Sequence, residues 1–169
     1  MASSVETVRT QLVAALNTIH PSTLVEGVAL RSDVKQVNML LQDIMIAATF
    51  PQLCILIDDD TTTAFDGSQT LYQTVINFRI VGMCQGSTGT TGTSPQTYVN
   101  IELEKLIDDV RRVLMSKWLT YIAASPAWII DMYSGLKVRR EFDWKNNTNK
   151  GAFVMRFTVA RYGHCLVDS

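Results

Sequence analysis

Leu71-Tyr72-Gln73-Thr74-Val75-Ile76-Asn77-Phe78-Arg79-Ile80-Val81-Gly82-Met83-Cys84 is the stretch whose reading decides the fold. Its even positions Tyr72, Ile76, Phe78 and Ile80 are apolar apart from Thr74, while the odd set carries Gln73, Asn77 and Arg79. Alternation with a period of two places such a segment in a sheet with one buried face. A strand of this length needs neighbours to satisfy its backbone N–H and C=O groups, and three other stretches qualify as partners.

The nearest upstream partner is Leu53-Cys54-Ile55-Leu56-Ile57, apolar on both faces and preceded by Phe50-Pro51. Such a run reads as an interior strand covered from two sides, stopped by the acidic surface turn Asp58-Asp59-Asp60. The link Thr61 to Thr70 is short enough that an antiparallel return is the simplest topology. Downstream, Gln85 to Gln96 is a Gly/Ser/Thr loop with almost nothing to anchor it to a core, and it reads as mobile. Ser94 and Pro95 suit the N-cap and first position of the next helix. That helix carries Val99, Leu103, Leu106, Ile107, Val110, Leu114 and Trp118 on one stripe, with Glu102, Lys105, Asp108, Asp109, Arg111 and Arg112 expected on the other.

After a break at Ala123 to Pro126, Trp128 to Tyr133 suits a short strand and Ser134-Gly135 a turn. Leu136, Val138, Phe142 and Trp144 then alternate with Lys137, Arg139, Glu141 and Asp143, and Arg140 is the exception on the apolar face. Asn146 to Gly151 suits a hairpin loop, with Phe153, Met155, Phe157 and Val159 as the buried side of the returning strand and Arg156 and Thr158 outside. The tail Gly163 to Ser169 is expected to fray. At the other end, Ser3-Ser4-Val5-Glu6 matches a capping box, and Val5, Val8, Leu12, Ala15 and Ile19 mark an amphipathic helix ending before Pro21. Residues 21 to 33 suit either a turn or a short edge strand around Glu26-Gly27, and 34 to 48 a second helix or, in part, a strand.

The expected architecture is therefore α+β: a mainly antiparallel sheet of about four strands with two or three helices packed on it, in one domain over 1–169. Hydrophobic residues make up 47% and charged ones 18%, with a formal net charge of -1, so no general field exists to hold phosphate backbones or sequence-specific nucleic acid. The N-terminus lacks the basic and apolar regions of a secretory signal, and no apolar run reaches the roughly 18 residues of a membrane span. A soluble protein without a membrane partner is expected. Three cysteines without metal spacing read as free thiols.

Chemistry-bearing clusters are few. His20 and His164 have no ligand-spaced companions, so no metal and no cofactor are expected there. Asp58-Asp59-Asp60 is the best carboxylate cluster and suits solvated strand-ending acids better than a divalent cation. The Ser87 to Gly92 loop lacks the Gly-Lys-Ser/Thr ending of a phosphate cradle, and Cys54 and Cys84 suit core packing. Lys137, Arg139, Arg140, Lys145 and Lys150 form a local basic zone interrupted by Glu141 and Asp143; Arg139, Arg140, Lys145 and Lys150 read as an interface slightly better than as a solvated hairpin face.

Taken together, the order of elements has a likeness in a known family. The N-terminal helix, Phe50-Pro51-Gln52-Leu53-Cys54-Ile55, the long strand Leu71 to Met83, the helix with Asp108-Asp109-Val110-Arg111-Arg112 and the final Phe153-Val154-Met155-Arg156-Phe157-Thr158-Val159-Ala160-Arg161-Tyr162 resemble the tail terminator (tail completion) proteins of long-tailed bacteriophages. The resemblance implies a structural, non-enzymatic virion protein made in the host cytoplasm. It would close with copies of itself into a ring, usually a hexamer, at the head-proximal end of the tail tube. Its partners would be the tube protein and the neck or connector, and DNA would pass through the ring. A neck or tail-tube component of similar fold is a related alternative. From other classes, a host-encoded adaptor module and a small metal-dependent enzyme or ligand-binding domain using Asp58 to Asp60 are further alternatives.

Overall fold

The computed structural model describes residues 4–41, 43, 49–64, 71–86, 95–122, 128–130, 135–142 and 150–164. In chain order these form α1 (Ser4–Leu16), β1 (Leu24–Val25), β2 (Val28–Ala29), β3 (Gln36–Asn38), β4 (Gln52–Ala64) and β5 (Leu71–Gln85). There follow α2 (Pro95–Ile122), β6 (Trp128–Ile130), β7 (Lys137–Phe142) and β8 (Lys150–His164). The class is α+β as expected, although the main sheet has six strands where about four were expected.

The organising stretch is central, with β5 paired antiparallel to β4 on one side and to β8 on the other over nearly its whole length. Its even residues Ile76, Phe78 and Ile80 are fully buried, and they lie level with Val159, Phe157 and Met155 of β8. Phe78 and Phe157 stack across the strands with ring centroids 5.6 Å apart. The stack adds an aromatic contact to two side chains whose burial stabilises by about 1.5–3 kcal/mol each.

Both helices cover this face. Val8, Leu12, Ala15 and Leu16 of α1 are buried, as are Val99, Leu103, Leu106, Ile107, Val110 and Leu114 of α2, and all join Leu53 and Ile55 of β4 in one core. Ile19 is also fully buried but lies past the helix end, where the chain tightens through Thr18 N–H to Ala15 O at 3.2 Å and Ile19 N–H to Leu16 O at 3.2 Å.

Several expectations need correction. The three aspartates do not stop β4: the strand runs on to Ala64, absorbing the crowded charge through a register shift between Ile57 and Asp59. A β-bulge leaves one residue unpaired, so the ladder continues beyond it. Asp109 is not on the solvent face of α2 but buried, accepting the backbone N–H of Arg31 at 2.9 Å and of Ser32 at 2.7 Å. Of the expected turn at Ser134-Gly135, Ser134 lies outside the described residues; β6 and β7 on either side of it both run antiparallel to β8 and lie along the same edge of it. Gly163 and His164 do not fray but pair with Tyr72 and Leu71.

Of the stretch 34 to 48, residues 36–38 are β3, parallel to Gln52–Cys54, and Val34 donates its N–H to Ile19 O at 3.0 Å in place of a helical bond. The end of that stretch, residues 87–94 of the Gly/Thr loop, most of the expected loop at 146–151 and the break at 123–126 lie outside the described residues, while Gln85 belongs to β5 and Pro95 and Gln96 to α2. Around Glu26-Gly27, the alternatives resolve into a two-stranded antiparallel hairpin, β1 with β2.

Candidate interaction site on the open face of the sheet

Because successive side chains of a strand point to opposite faces, the set that does not meet the helices forms a second surface. On β5 this set is Asn77, Arg79, Val81 and Met83, and on β8 it is Ala152, Val154, Arg156 and Thr158, paired in register as neighbours. At the Gln85 end of the sheet all of these but Asn77 and Thr158 line a concavity of about 590 Å³. Its floor is Val81, Met83, Ala152 and Val154, and Leu41 stands at its side. Leu41 belongs to the exposed apolar run Met39-Leu40-Leu41 that follows β3.

Charged side chains frame the floor: Arg79, Arg139, Lys150 and Arg156, with Glu141. Arg139 Nε lies 3.4 Å from Glu141 Oε1 and remains strongly exposed, while Lys150 Nζ sits 4.8 Å from the centre of the Phe50 ring. Arg79 Nη2 is 3.0 Å from Asp58 Oδ1, and Arg156 Nε is 3.8 Å from Asp58 Oδ2. One aspartate therefore serves two guanidinium groups. Arg79 Nε is buried without an acceptor among the described residues.

The structure separates the residues of the basic zone. Arg139 and Lys150 stand at the concavity, whereas Arg140, one step along β7, points to the helix side and forms a forked ion pair with Glu104 of α2. The second of its two bonds, Nη2–H to Oε2, is 2.9 Å long. The hydrogen bond from Arg140 holds the Glu104 carboxyl below its usual range, and the same bond raises Arg140. Arg140 thus ties β7 to α2, which accounts for a cation in an apolar register. Lys145 lies outside the described residues.

Nor do the three aspartates converge. A smaller cavity of about 280 Å³ adjoins Asp58 and Asp59, but Asp58 is held by the two arginines and Asp59 accepts Asn77 Nδ2–H at 2.5 Å. Asp60 pairs with Ile76, a residue of the opposite face. Among the described residues no three His, Cys, Asp or Glu side chains are grouped so as to hold a metal ion. His20 Nδ1 lies 2.8 Å from Asp33 Oδ1, and Asp33 also binds Lys35; the lysine contact first, then the histidine, lowers the Asp33 pKa.

Burial pushes the Cys54 thiol up to about 11 and the Cys84 thiol up to about 12, far from the thiolate that nucleophilic chemistry requires. No helix of the described residues is long and apolar enough to cross a membrane.

Reading the basic zone along β7 alone misses Arg79, Arg156 and the apolar floor. Their signal lies in the odd set of the organising strand, which changes from polar at Asn77 and Arg79 to apolar at Val81 and Met83. No protein-family model and no curated protein sequence matches this chain.

Proposed function

We propose that the chain is a non-enzymatic assembly subunit: a tail terminator of a long-tailed phage, closing with copies of itself into a ring at the head-proximal end of the tail. In this role the ring, a hexamer, arrests tube growth and offers the docking surface for the neck or connector, with DNA passing through it. The sequence resemblance supplies the identity of the assembly. The observation that carries the contact-making role is the open face of the sheet, where an apolar floor framed by cations is left uncovered by any described element.

Two further features support an assembly role. The outer edge of β4 from Ile55 to Ala64 has no partner strand among the described residues, and Asp59 to Ala64 are exposed. Edges and open faces of this kind suit contacts between subunits. The work is then done by surfaces meeting, and no step of bond chemistry is assigned to the chain.

The test is to produce particles without this gene and image them. Full heads beside unjoined tails of irregular length are expected; normal virions would end the reading.

A further inference from the structure

Two surfaces of this chain have matching chemistry and are kept apart within one copy. The first is the β1–β2 hairpin, which carries Leu24 (67% exposed) on one face, Val28 (45% exposed) on the other and Glu26 in the turn between the strands. Glu26 is exposed, and it makes no ion pair among the described residues. With φ of 51° at Glu26 and 78° at Gly27, the reversal is a two-residue turn of the kind that matches strand twist, so the tip is a defined shape. It is an apolar knob with a carboxylate at its point.

The second surface is the open-face concavity. Its floor is aliphatic, and its frame of Arg79, Arg139, Lys150 and Arg156 outnumbers the neighbouring acids Asp58 and Glu141. It is an apolar socket with surplus positive charge. The hairpin cannot fill the socket of its own copy. It touches α2, and the residues that follow it, Arg31 and Ser32, are tied to Asp109 of that helix. The socket is on the other side of the sheet.

We propose that the Glu26 hairpin of one copy seats in the open-face concavity of a second copy. Leu24, on the face of the hairpin opposite to the core-facing Val25, covers the Val81 and Val154 floor, and the Glu26 carboxylate meets Lys150 and Arg139 at the rim. Aspartates 59 and 60 are poorer occupants, since Asp59 is engaged by Asn77 and neither is flanked by exposed aliphatic side chains. The contact joins two different patches, so after it forms the first copy keeps a free socket and the second a free knob. A heterologous contact of this type propagates, and it closes into a ring where the rotation per subunit allows. The inference rests on the ring reading for its setting and gives that ring its contact.

Isotope-mixed cross-linking tests it. Equal amounts of ¹⁵N-labelled and unlabelled protein, at a concentration on the order of 1 mM that populates weak contacts, are treated with a water-soluble carbodiimide. This reagent condenses a carboxylate with an amine in direct contact, forming an amide while the carbodiimide takes up the lost water as a urea. The expected product is a Glu26–Lys150 peptide pair carrying one labelled and one unlabelled half, absent in Glu26→Gln. Sedimentation of Glu26→Lys should show self-association weakened about tenfold, with recovery in the double variant Glu26→Lys/Arg139→Glu.

A Glu26–Lys150 product confined to single copies, cross-links from Lys150 only to other carboxylates, no mixed product, or unchanged association of Glu26→Lys would each overturn the proposal. These results are independent of the gene-deletion test. A mixed cross-link together with normal virions would remove the tail role while leaving the contact in place.

Discussion

At Gly82 the absence of a side chain is a packing requirement. It lies directly across from Phe153, and a β-carbon at that position would fall 2.9 Å or less from three atoms of the Phe153 ring. Phe153 is fully buried, so the ring has little room to give way. Gly82→Ala should therefore lose about 1–3 kcal/mol through overpacking, read as a lower denaturation midpoint with an unchanged denaturant slope. Phe153→Leu introduced alongside should recover part of that loss; a Gly82→Ala protein as stable as the parent would show that the ring moves freely. Arg140 and Glu104 give a second residue-scale outcome. Their side chains are 38% and 48% exposed, so the coupling in a double-mutant cycle should be only about 0.5–1 kcal/mol. Since the folded Glu104 value is lowered, this contribution is present above its ordinary value of about 4.3 and disappears as pH falls through the folded one. A coupling that persisted in strong acid would contradict the assignment. That two adjacent arginines serve opposite faces is visible in the period of β7, but which one meets a helical carboxylate depends on α2 and is not.

Among the elements, the backbone of the segment between β2 and β3 is tied to α2 through one buried carboxylate. Asp109 is 2% exposed and accepts two backbone N–H groups, while Arg31 Nη2 binds Asp108 Oδ2 at 3.0 Å nearby. Asp109→Ala would strand two donors in a dry site, and a loss of about 2–4 kcal/mol is expected. Asp109→Asn keeps one acceptor oxygen and should cost clearly less, so equal losses in the two variants would mean that packing, not hydrogen bonding, holds the segment. The helical stripe of α2 and the alternation of β5 and β8 are legible in the sequence because each element buries one continuous face. Asp109 is not, since its burial is set by a loop some 77 residues earlier in the chain. The same limit explains β4. Three aspartates argue locally for a strand end, whereas Arg79 on the neighbouring β5, Arg156 on β8 beyond it and a bulge at the acidic step let the ladder continue. A three-residue strand such as β3, paired in parallel, leaves almost no periodic trace at all.

Seen as a whole, the molecule has two unequal layers around its sheet, and the two described cysteines report on them separately. Cys84 belongs to the helix-side core, where its thiol approaches Val99 O at 3.6 Å. Cys54 pairs with Val81 and so lies on the side of the open face, yet it too is fully buried. Exposing Cys84 requires lifting α2 from the sheet, which disrupts the main core, whereas Cys54 is outside that core cluster. Local opening needs less free energy where fewer apolar contacts must be broken. With an alkylating reagent in excess, Cys54 should thus react faster than Cys84, by about tenfold or more if the difference in opening energy exceeds about 1.4 kcal/mol. Both thiols have raised values when folded, so the protonated, folded state is favoured below the ordinary thiol value of about 8.5. That contribution is lost as pH rises toward the folded values of about 11 and about 12, and alkylation of both sites should accelerate across this range. Peptide mapping of a time course distinguishes the sites. Equal rates at Cys54 and Cys84, both tracking global unfolding, would mean that the open face is as tightly closed near β3 as the helix side, and that the two layers open as one unit.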